Sequence, residues 1–301
     1  MSTKIQWTDA TWSPVVGCTK VSTGCDNCYA EKMACRLASM ACSAKKTIAQ
    51  ISNMSDSERA YINVVRMMHD PAREKTYFDG WNGKIALVES ALNKPLHWKK
   101  PRMIFVNSMS DLFHPSVPFE FIDKVIDVFN KCPQHTGQLL TKRAERMKEY
   151  FCRGVKIDEN NTTEMFMRPN VAFLQNLWLG VTAENQEWWD KRKKDFLSIP
   201  AVVHFVSNEP CLGGIVYTDE DLQQLDWVIV GAESGPKSRW CPVGDIRSIV
   251  GQCKDAGVPV FVKQIHIWDS AKKKHKLIKD INQFPEDLRI REYPKGGVKN
   301  E

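Results

Sequence analysis

Seven short apolar runs punctuate this chain, at 12–16, 103–107, 137–141, 177–181, 202–207, 227–231 and 259–263. Runs this short, apolar and rich in β-branched residues suit strands buried on both faces, as in a parallel sheet. Between most of them lie stretches with helical spacing. In 119–131, Phe121, Ile122, Val125, Ile126 and Phe129 share one face. In 244–256 the pattern stops before Gly257 and Pro259, a helix C-terminal signal. Strand alternating with helix predicts βαβ units around one sheet. A length of 301 residues allows two small domains or one barrel. The expected architecture is a single α/β domain over 1–301, a partial (β/α) barrel of six to seven mainly parallel strands. Two stretches interrupt it. Residues 43–83 are polar and read as a helical insertion. Residues 153–170 carry Gly, Asn-Asn-Thr-Thr and Pro, and read as a long surface loop. The N-x-Thr sequons opened by Asn160 and Asn161 read as chance, since no secretion signal accompanies them.

The strand ends are polar. They read Asn107-Ser108-Met-Ser110-Asp111, Thr141-Lys142-Arg143, Thr182-Ala-Glu184-Asn185, Ser207-Asn208-Glu209-Pro210, Gly231-Ala-Glu233-Ser234 and Lys263-Gln264. Ligands of barrels and open α/β sheets sit at the carboxyl ends of strands. Six polar ends on one face therefore predict the mouth of a site. The carboxylates that directly follow strands are its best candidates. Polar residues also simply begin loops, and Asp111 has helix capping as its plainer role.

Directly after the first run comes Gly17-Cys18-Thr-Lys-Val-Ser-Thr-Gly24-Cys25-Asp-Asn-Cys28-Tyr29-Ala30. Thiolates are soft ligands, suited to zinc or to an iron–sulfur cluster. Structural zinc wants four ligands. Cys35 and Cys42 are near in sequence, but 31–40 reads as helix and carries both away from the loop; His69 is too distant for a paired knuckle. Three thiols on one loop fit a [4Fe–4S] cluster that leaves one iron open to S-adenosylmethionine. Cys132, Cys152, Cys211, Cys241 and Cys253 read as small core residues.

The cysteine loop resembles the radical-SAM pattern of the spore photoproduct lyase group, whose last cysteine also leads into Tyr-Ala. The chain is more similar still to a phage and prophage family with a three-cysteine motif, whose reaction is generally unassigned. That likeness runs over nearly the whole chain. It includes Ile5-Gln-Trp-Thr-Asp-Ala-Thr-Trp, Phe105-Val-Asn-Ser-Met-Ser-Asp-Leu-Phe-His, Leu140-Thr-Lys-Arg, Leu177-Trp-Leu-Gly-Val-Thr-Ala-Glu-Asn, Glu209-Pro, Asp226-Trp-Val-Ile-Val-Gly-Ala-Glu-Ser-Gly-Pro and Val262-Lys-Gln. The resemblance implies that Cys18, Cys25 and Cys28 hold a [4Fe–4S] cluster. It implies S-adenosylmethionine as second cofactor, with Asn107, Ser108, Ser110, Asp111, Thr182, Glu184, Glu209 and Glu233 as cofactor-binding candidates. It also implies a one-electron donor such as flavodoxin or ferredoxin. Three departures stand out. Six residues separate Cys18 from Cys25 where the common loop has three. Asn27 replaces the usual aromatic before the last cysteine, a place Tyr29 could fill. The usual Gly-Gly-Glu after the second strand is absent, and Asn107 to Asp111 occupy its place.

Charge supplies the substrate expectation. Lys plus Arg is 42 against 36 Asp plus Glu, a net of +6. Residues 270–301 hold nine of the cations and five of the carboxylates, so most of the excess is a basic tail. This permits a polyanion partner without demanding one. Lys142 and Arg143, Lys191-Arg-Lys-Lys194 beside Trp188 and Trp189, and His97-Trp98-Lys-Lys-Pro-Arg102 interleave cations with aromatics, as phosphate and base contacts do. Solvated helix faces look the same. Ser110, Asp111 and His114 do not form a hydrolase triad, because the strained G-x-S-x-G elbow is missing. The turn Gly231-Ala-Glu-Ser-Gly-Pro lacks the dinucleotide and P-loop patterns.

The expected function is a radical-SAM-type enzyme that abstracts hydrogen from a substrate, with a nucleic-acid base or nucleotide as the substrate class. The phage likeness suggests DNA modification or repair. Two alternatives are a zinc-stabilised nucleic-acid-binding protein without catalysis and a barrel that binds its ligand as a regulatory module. No run approaches the ~18 apolar residues of a membrane helix, and the first residues lack an apolar signal segment. A cytoplasmic protein is expected, whose ten cysteines are not a disulfide framework.

Overall fold

The computed structural model describes residues 3, 5–43, 54–71, 75–152, 155–157, 163–165, 174–271 and 273–294. Its centre is one eight-stranded sheet. In chain order the strands are β1 (Ala10–Trp12), β2 (Met103–Val106), β3 (Thr136–Thr141), β4 (Leu177–Thr182), β5 (Val203–Asn208), β6 (Trp227–Gly231), β7 (Val260–Asp269) and β8 (Lys274–Ile278). Spatial order equals chain order. Every pair is parallel except β7 with β8, an antiparallel hairpin. The strands are nearly all buried, as their apolar runs require; β2, β4 and β6 are buried at every position.

Helices cover one face. Those used below are α1 (Tyr29–Ser43), α2 (Asp56–Val64), α3 (Phe119–Lys131), α4 (Ala144–Phe151), α5 (Gln186–Leu197), α6 (Asp219–Gln223) and α7 (Val243–Asp255). Ile104, Val106, Leu139, Leu179, Val181, Val228, Val230 and Val262 pack with the helices in one large core. The alternate residues Met103, Phe105, Trp178, Phe205, Trp227 and Phe261 form a second core with Trp7. Trp227 is its centre, with ring centroids of Phe205 at 5.8 Å, Trp178 at 5.9 Å and Trp7 at 6.2 Å. A period of two thus sorts each strand between a helix-covered face and an aromatic face.

The expected mainly parallel α/β sheet is present, and no closed barrel is formed by the described residues. Three sequence readings change. Residues 12–16 are two elements: β1 ends at Trp12, and Val15–Val16 pairs instead with Ala86–Leu87. The 43–83 insertion is not helical throughout, because α2 is followed by an antiparallel hairpin, Val65–Asp70 with Lys75–Trp81. The basic tail begins inside the sheet, as β8. Of the 153–170 loop, only the paired segments Val155–Ile157 and Thr163–Met165 are described, and both sequons lie outside the described residues. No described helix is long and apolar enough to cross a membrane.

Candidate functional site

The cysteine loop lies across the carboxyl ends of the sheet, tied there by side chains from four strand ends. Gly17 opens it with φ +97°, and a Cβ there would sit 2.4 Å from the Lys84 carbonyl oxygen, so glycine is required. A 3-10 turn, Thr23–Cys25, carries Cys25. Cys28 accepts the first turn of α1, its carbonyl bonding Lys32 N–H at 3.4 Å. All three thiols are half-buried.

From β3, Arg143 reaches the start of the loop. Its Nη2 donates to the Thr19 carbonyl at 2.9 Å and Thr19 Oγ1 at 3.0 Å; its Nη1 lies 3.9 Å from Cys18 Sγ. Asp111, after β2, holds that guanidinium at 2.7 Å. The same carboxylate accepts from Thr141 Oγ1 at 2.7 Å, Phe113 N–H at 3.0 Å and Lys142 N–H at 3.3 Å. His114 adds a further tie. Its Nδ1 accepts from Ser116 N–H, so Nε2 carries the proton and faces Thr19 Oγ1 at 2.9 Å. Burial, then Arg143, pushes the His114 pKa down to about 4.

From β4, Glu184 reaches the middle of the loop. It is fully buried. Its carboxylate accepts from Ser22 Oγ, from Arg192 at 2.7 Å and from Lys142, whose Nζ is 3.5 Å away. Burial alone would raise its pKa; Lys142, Arg192 and Ser22 outweigh that and hold it below the ordinary carboxylate range. A Cβ on Gly24 would sit 2.3 Å from Glu184 Oε1, so the loop passes directly over the carboxylate.

From β6, Glu233 holds the end of the loop. Asn27 Nδ2 donates to it at 3.0 Å, and Arg239 donates through Nη2 at 2.6 Å and its backbone N–H at 2.8 Å. Arg239 in turn donates to the Thr23 carbonyl at 2.9 Å and pairs with Asp26 at 3.3 Å. Burial raises the Glu233 pKa, and hydrogen bonds from Arg239 and Asn27 bring it below the usual range.

Most of the predicted residues therefore meet at one place, but their roles differ from those expected. Asp111, Glu184 and Glu233 are engaged with cations and brace the loop. Asn107 Oδ1 accepts from Val15 N–H at 3.2 Å, while its Nδ2 is buried without a partner. Ser110 Oγ donates to the Val15 carbonyl at 2.8 Å. The Ser108 carbonyl accepts from Tyr29 Oη at 2.7 Å. Thr182 lends its carbonyl to Arg192 at 2.6 Å. Glu209 pairs with Lys263 at the end of β7. Lys142 and Arg143 turn inward to Glu184 and Asp111 rather than standing free for phosphates. Asn27 serves as a strap to Glu233, and the lengthened segment between Cys18 and Cys25 supplies Thr19, Ser22, Thr23 and Gly24 for these contacts. Sequence reading missed Arg192 and Arg239. Arg192 carried one signal: it falls on the buried face of α5 with Trp189 and Phe196.

The donor chemistry suits a soft metal group. The nearby carboxylates are neutralised by arginine and lysine, which leaves sulfur as the unengaged donor type on the loop. Burial, then Asp111, pushes the Cys18 thiol up to about 12, with Arg143 opposing; burial also raises Cys28. Ligation must displace those protons. No group of three or more His, Cys, Asp or Glu among the described residues is placed to hold a metal ion as it stands. A single zinc ion needs its sulfurs each at ~2.3 Å from one point. A cluster instead spreads its thiolates over separate irons. Cys35 and Cys42 lie on α1; Cys35 Sγ accepts from Gly80 N–H at 3.2 Å and Cys42 is exposed. The five core cysteines are buried.

A family model described as a protein of unknown function (DUF5131) matches residues 2–291. No curated protein matches the chain. No solved structure matches it.

Proposed function

The chain belongs to the DUF5131 family, and we propose that it is a radical-SAM-type enzyme on a partial (β/α) barrel. The observation that carries this is the three-thiol loop braced by Asp111–Arg143, Glu184–Arg192 and Glu233–Arg239. One-way strand order with helices on one face and an aromatic core on the other supports the barrel reading. Cys18, Cys25 and Cys28 would hold a [4Fe–4S] cluster, and the buried Asn107 amide and the Ser108 end of β2 would face S-adenosylmethionine. Such a cluster, reduced by a donor such as flavodoxin or ferredoxin, supplies reductive cleavage of S-adenosylmethionine to a 5′-deoxyadenosyl radical that takes hydrogen from a substrate. The protein's own part is positional. Arg143 donates toward Cys18 and favours its thiolate, the carboxylates fix the loop, and the aromatic core keeps water from beneath it. A nucleotide or nucleic-acid base remains the proposed substrate class. Free thiols place this chemistry in a reducing, cytoplasmic setting.

Anaerobic purification with iron and sulfide analysis tests the reading. About four irons per chain, lost in Cys25→Ala, with 5′-deoxyadenosine formed on adding reductant and S-adenosylmethionine, is the expected result. One zinc per chain, lost in the same variant, would replace it with a zinc-stabilised binding protein.

A further inference from the structure

Beside the cysteine loop a cleft of about 350 Å³ opens between α4 and α5. Val21 of the loop forms part of its wall, and Arg143 belongs to both places. Lys142, Arg146, Lys191 and Arg192 also line it, together with the ring of Trp188. Three carboxylates, Glu145, Glu149 and Asp195, share the lining. Two of them already have cationic partners: Glu149 pairs with Arg146 at 3.5 Å, and Asp195 with Lys148 at 3.0 Å.

Two guanidinium nitrogens of this wall are buried and lack an acceptor, Arg192 Nη2 and Arg146 Nε. Arg192 is only 3% exposed. Its Nη1 is spent on the Thr182 carbonyl and Glu184, so one end of the fork is satisfied and the other is not. A buried guanidinium left half-satisfied is costly, and an anion supplies what is missing. Phosphate is the anion whose several oxygens best match such forks. Trp188 adds a planar wall, with Lys191 Nζ 4.9 Å from its ring centroid. The volume lies at the lower end of ligand pockets and suits one nucleotide unit rather than a large cofactor.

We infer that this cleft binds the phosphate of a nucleotide, free or within a strand, and so seats the substrate beside the cysteine loop. The substrate role rests on the function proposed above; the binding itself does not, since neither Trp188 nor Lys191 belongs to the loop or its braces.

The test is titration calorimetry of the full chain with adenosine, adenosine monophosphate and a short single-stranded oligonucleotide, at several salt concentrations. The monophosphate is expected to bind about tenfold or more tightly than adenosine, and Lys191→Ala to weaken it about tenfold, in line with loss of one charge-assisted contact. Trp188→Phe keeps a ring and should retain most of the affinity, which guards against misfolding as the cause. An oligonucleotide that binds more tightly than the monophosphate, with a steeper salt slope, identifies a strand as the source. Equal affinities identify the free nucleotide. Adenosine binding as well as its phosphate, no binding by any phosphate compound, or Lys191→Ala without effect would each overturn the inference. Repeating the titration on Cys25→Ala separates the two proposals. Phosphate binding retained in a chain that never holds iron sinks the catalytic reading alone. Iron and 5′-deoxyadenosine formation without phosphate binding sinks the cleft alone.

Discussion

The loop is clamped on two flanks by an arginine–carboxylate pair, and the pairs differ in how much water reaches them. Arg143 and Asp111 meet at 2.7 Å with side chains 9% and 8% exposed. Arg239 and Glu233 meet at 2.6 Å, but the Arg239 side chain is 33% exposed. Removing one partner from a dry pair strands a charge, whereas water can take over much of a wet one. The Cys18 end of the loop is therefore fixed by the fold. The Asn27 end, strapped from the Arg239 side, is the end that can yield to an incoming ligand.

The largest effect should come from breaking the dry flank. Asp111→Ala leaves Arg143 buried without its counter-charge and also orphans Thr141 Oγ1. A loss of about 3–5 kcal/mol in urea denaturation is expected. A loss below about 1 kcal/mol would mean that water enters this flank too, and the contrast would vanish. Next comes the middle of the loop. Gly24→Ala drives a methyl into Glu184, and overpacking of this kind costs about 1–3 kcal/mol. Because the clash is with a carboxylate held by Arg192 and Lys142, the loop must lift instead, so iron retention should fall with stability. Normal iron content at reduced stability would show that the loop position does not matter for ligation.

The sheet was legible because strands buried on both faces leave no choice of residue; β2, β4, β5 and β6 lie within a residue or two of their apolar runs. The cysteine spacing was legible because a ligand loop is local. The braces were not. Arg192 sits in Lys191-Arg-Lys-Lys194, which reads as a solvated charge run, and only the approach of Glu184 from the next strand end buries one of the four. Arg239 lies in a Pro-Lys-Ser-Arg turn that gives no sign of reaching Thr23 and Asp26, more than 200 positions away. The hairpin after α2 was hidden because most of Val65–Asp70 is exposed, so the pairing shows in no apolar alternation. In β8 the alternation is lysine against partly buried His275 and Leu277, which charge counting reads as a tail.

A gentler probe of both flanks is pH. His114 stands on the Arg143 flank and His266 on the other. Burial, aided by Arg143 in one case and His275 in the other, lowers each pKa to about 4. Each histidine is thus neutral in the fold down to about pH 4, while an unfolded histidine gains its proton near ~6.5. The unfolded chain binds more protons in that window, so stability must fall as pH drops from ~6.5 toward 4. Each group contributes at most about 1.4 kcal/mol per pH unit. His114→Asn and His266→Asn should each flatten the decline between pH 6.5 and 5, above the range where the depressed carboxylates begin to titrate. Only His114→Asn should also loosen Thr19, seen as faster amide exchange at the Cys18 end. Equal exchange in both variants would remove the distinction.

The smallest expected change is the most direct test of the wet flank. Glu233→Gln keeps an oxygen to accept from Arg239 and Asn27 and removes only the charge. With Arg239 reachable by solvent, the cost should be about 1 kcal/mol or less. Its consequence is local, because Asp111 and Glu184 still hold the rest of the loop. Amide exchange should quicken at Cys25, Asp26 and Cys28 and stay unchanged at Thr19 and Lys20. If the whole loop exchanges faster, the two flanks act as one clamp and the dry pair does not fix its end alone. If nothing changes, the hydrogen bonds to Asn27 and Arg239 carry the flank without the charge, and entry at that side must break those bonds rather than an ion pair.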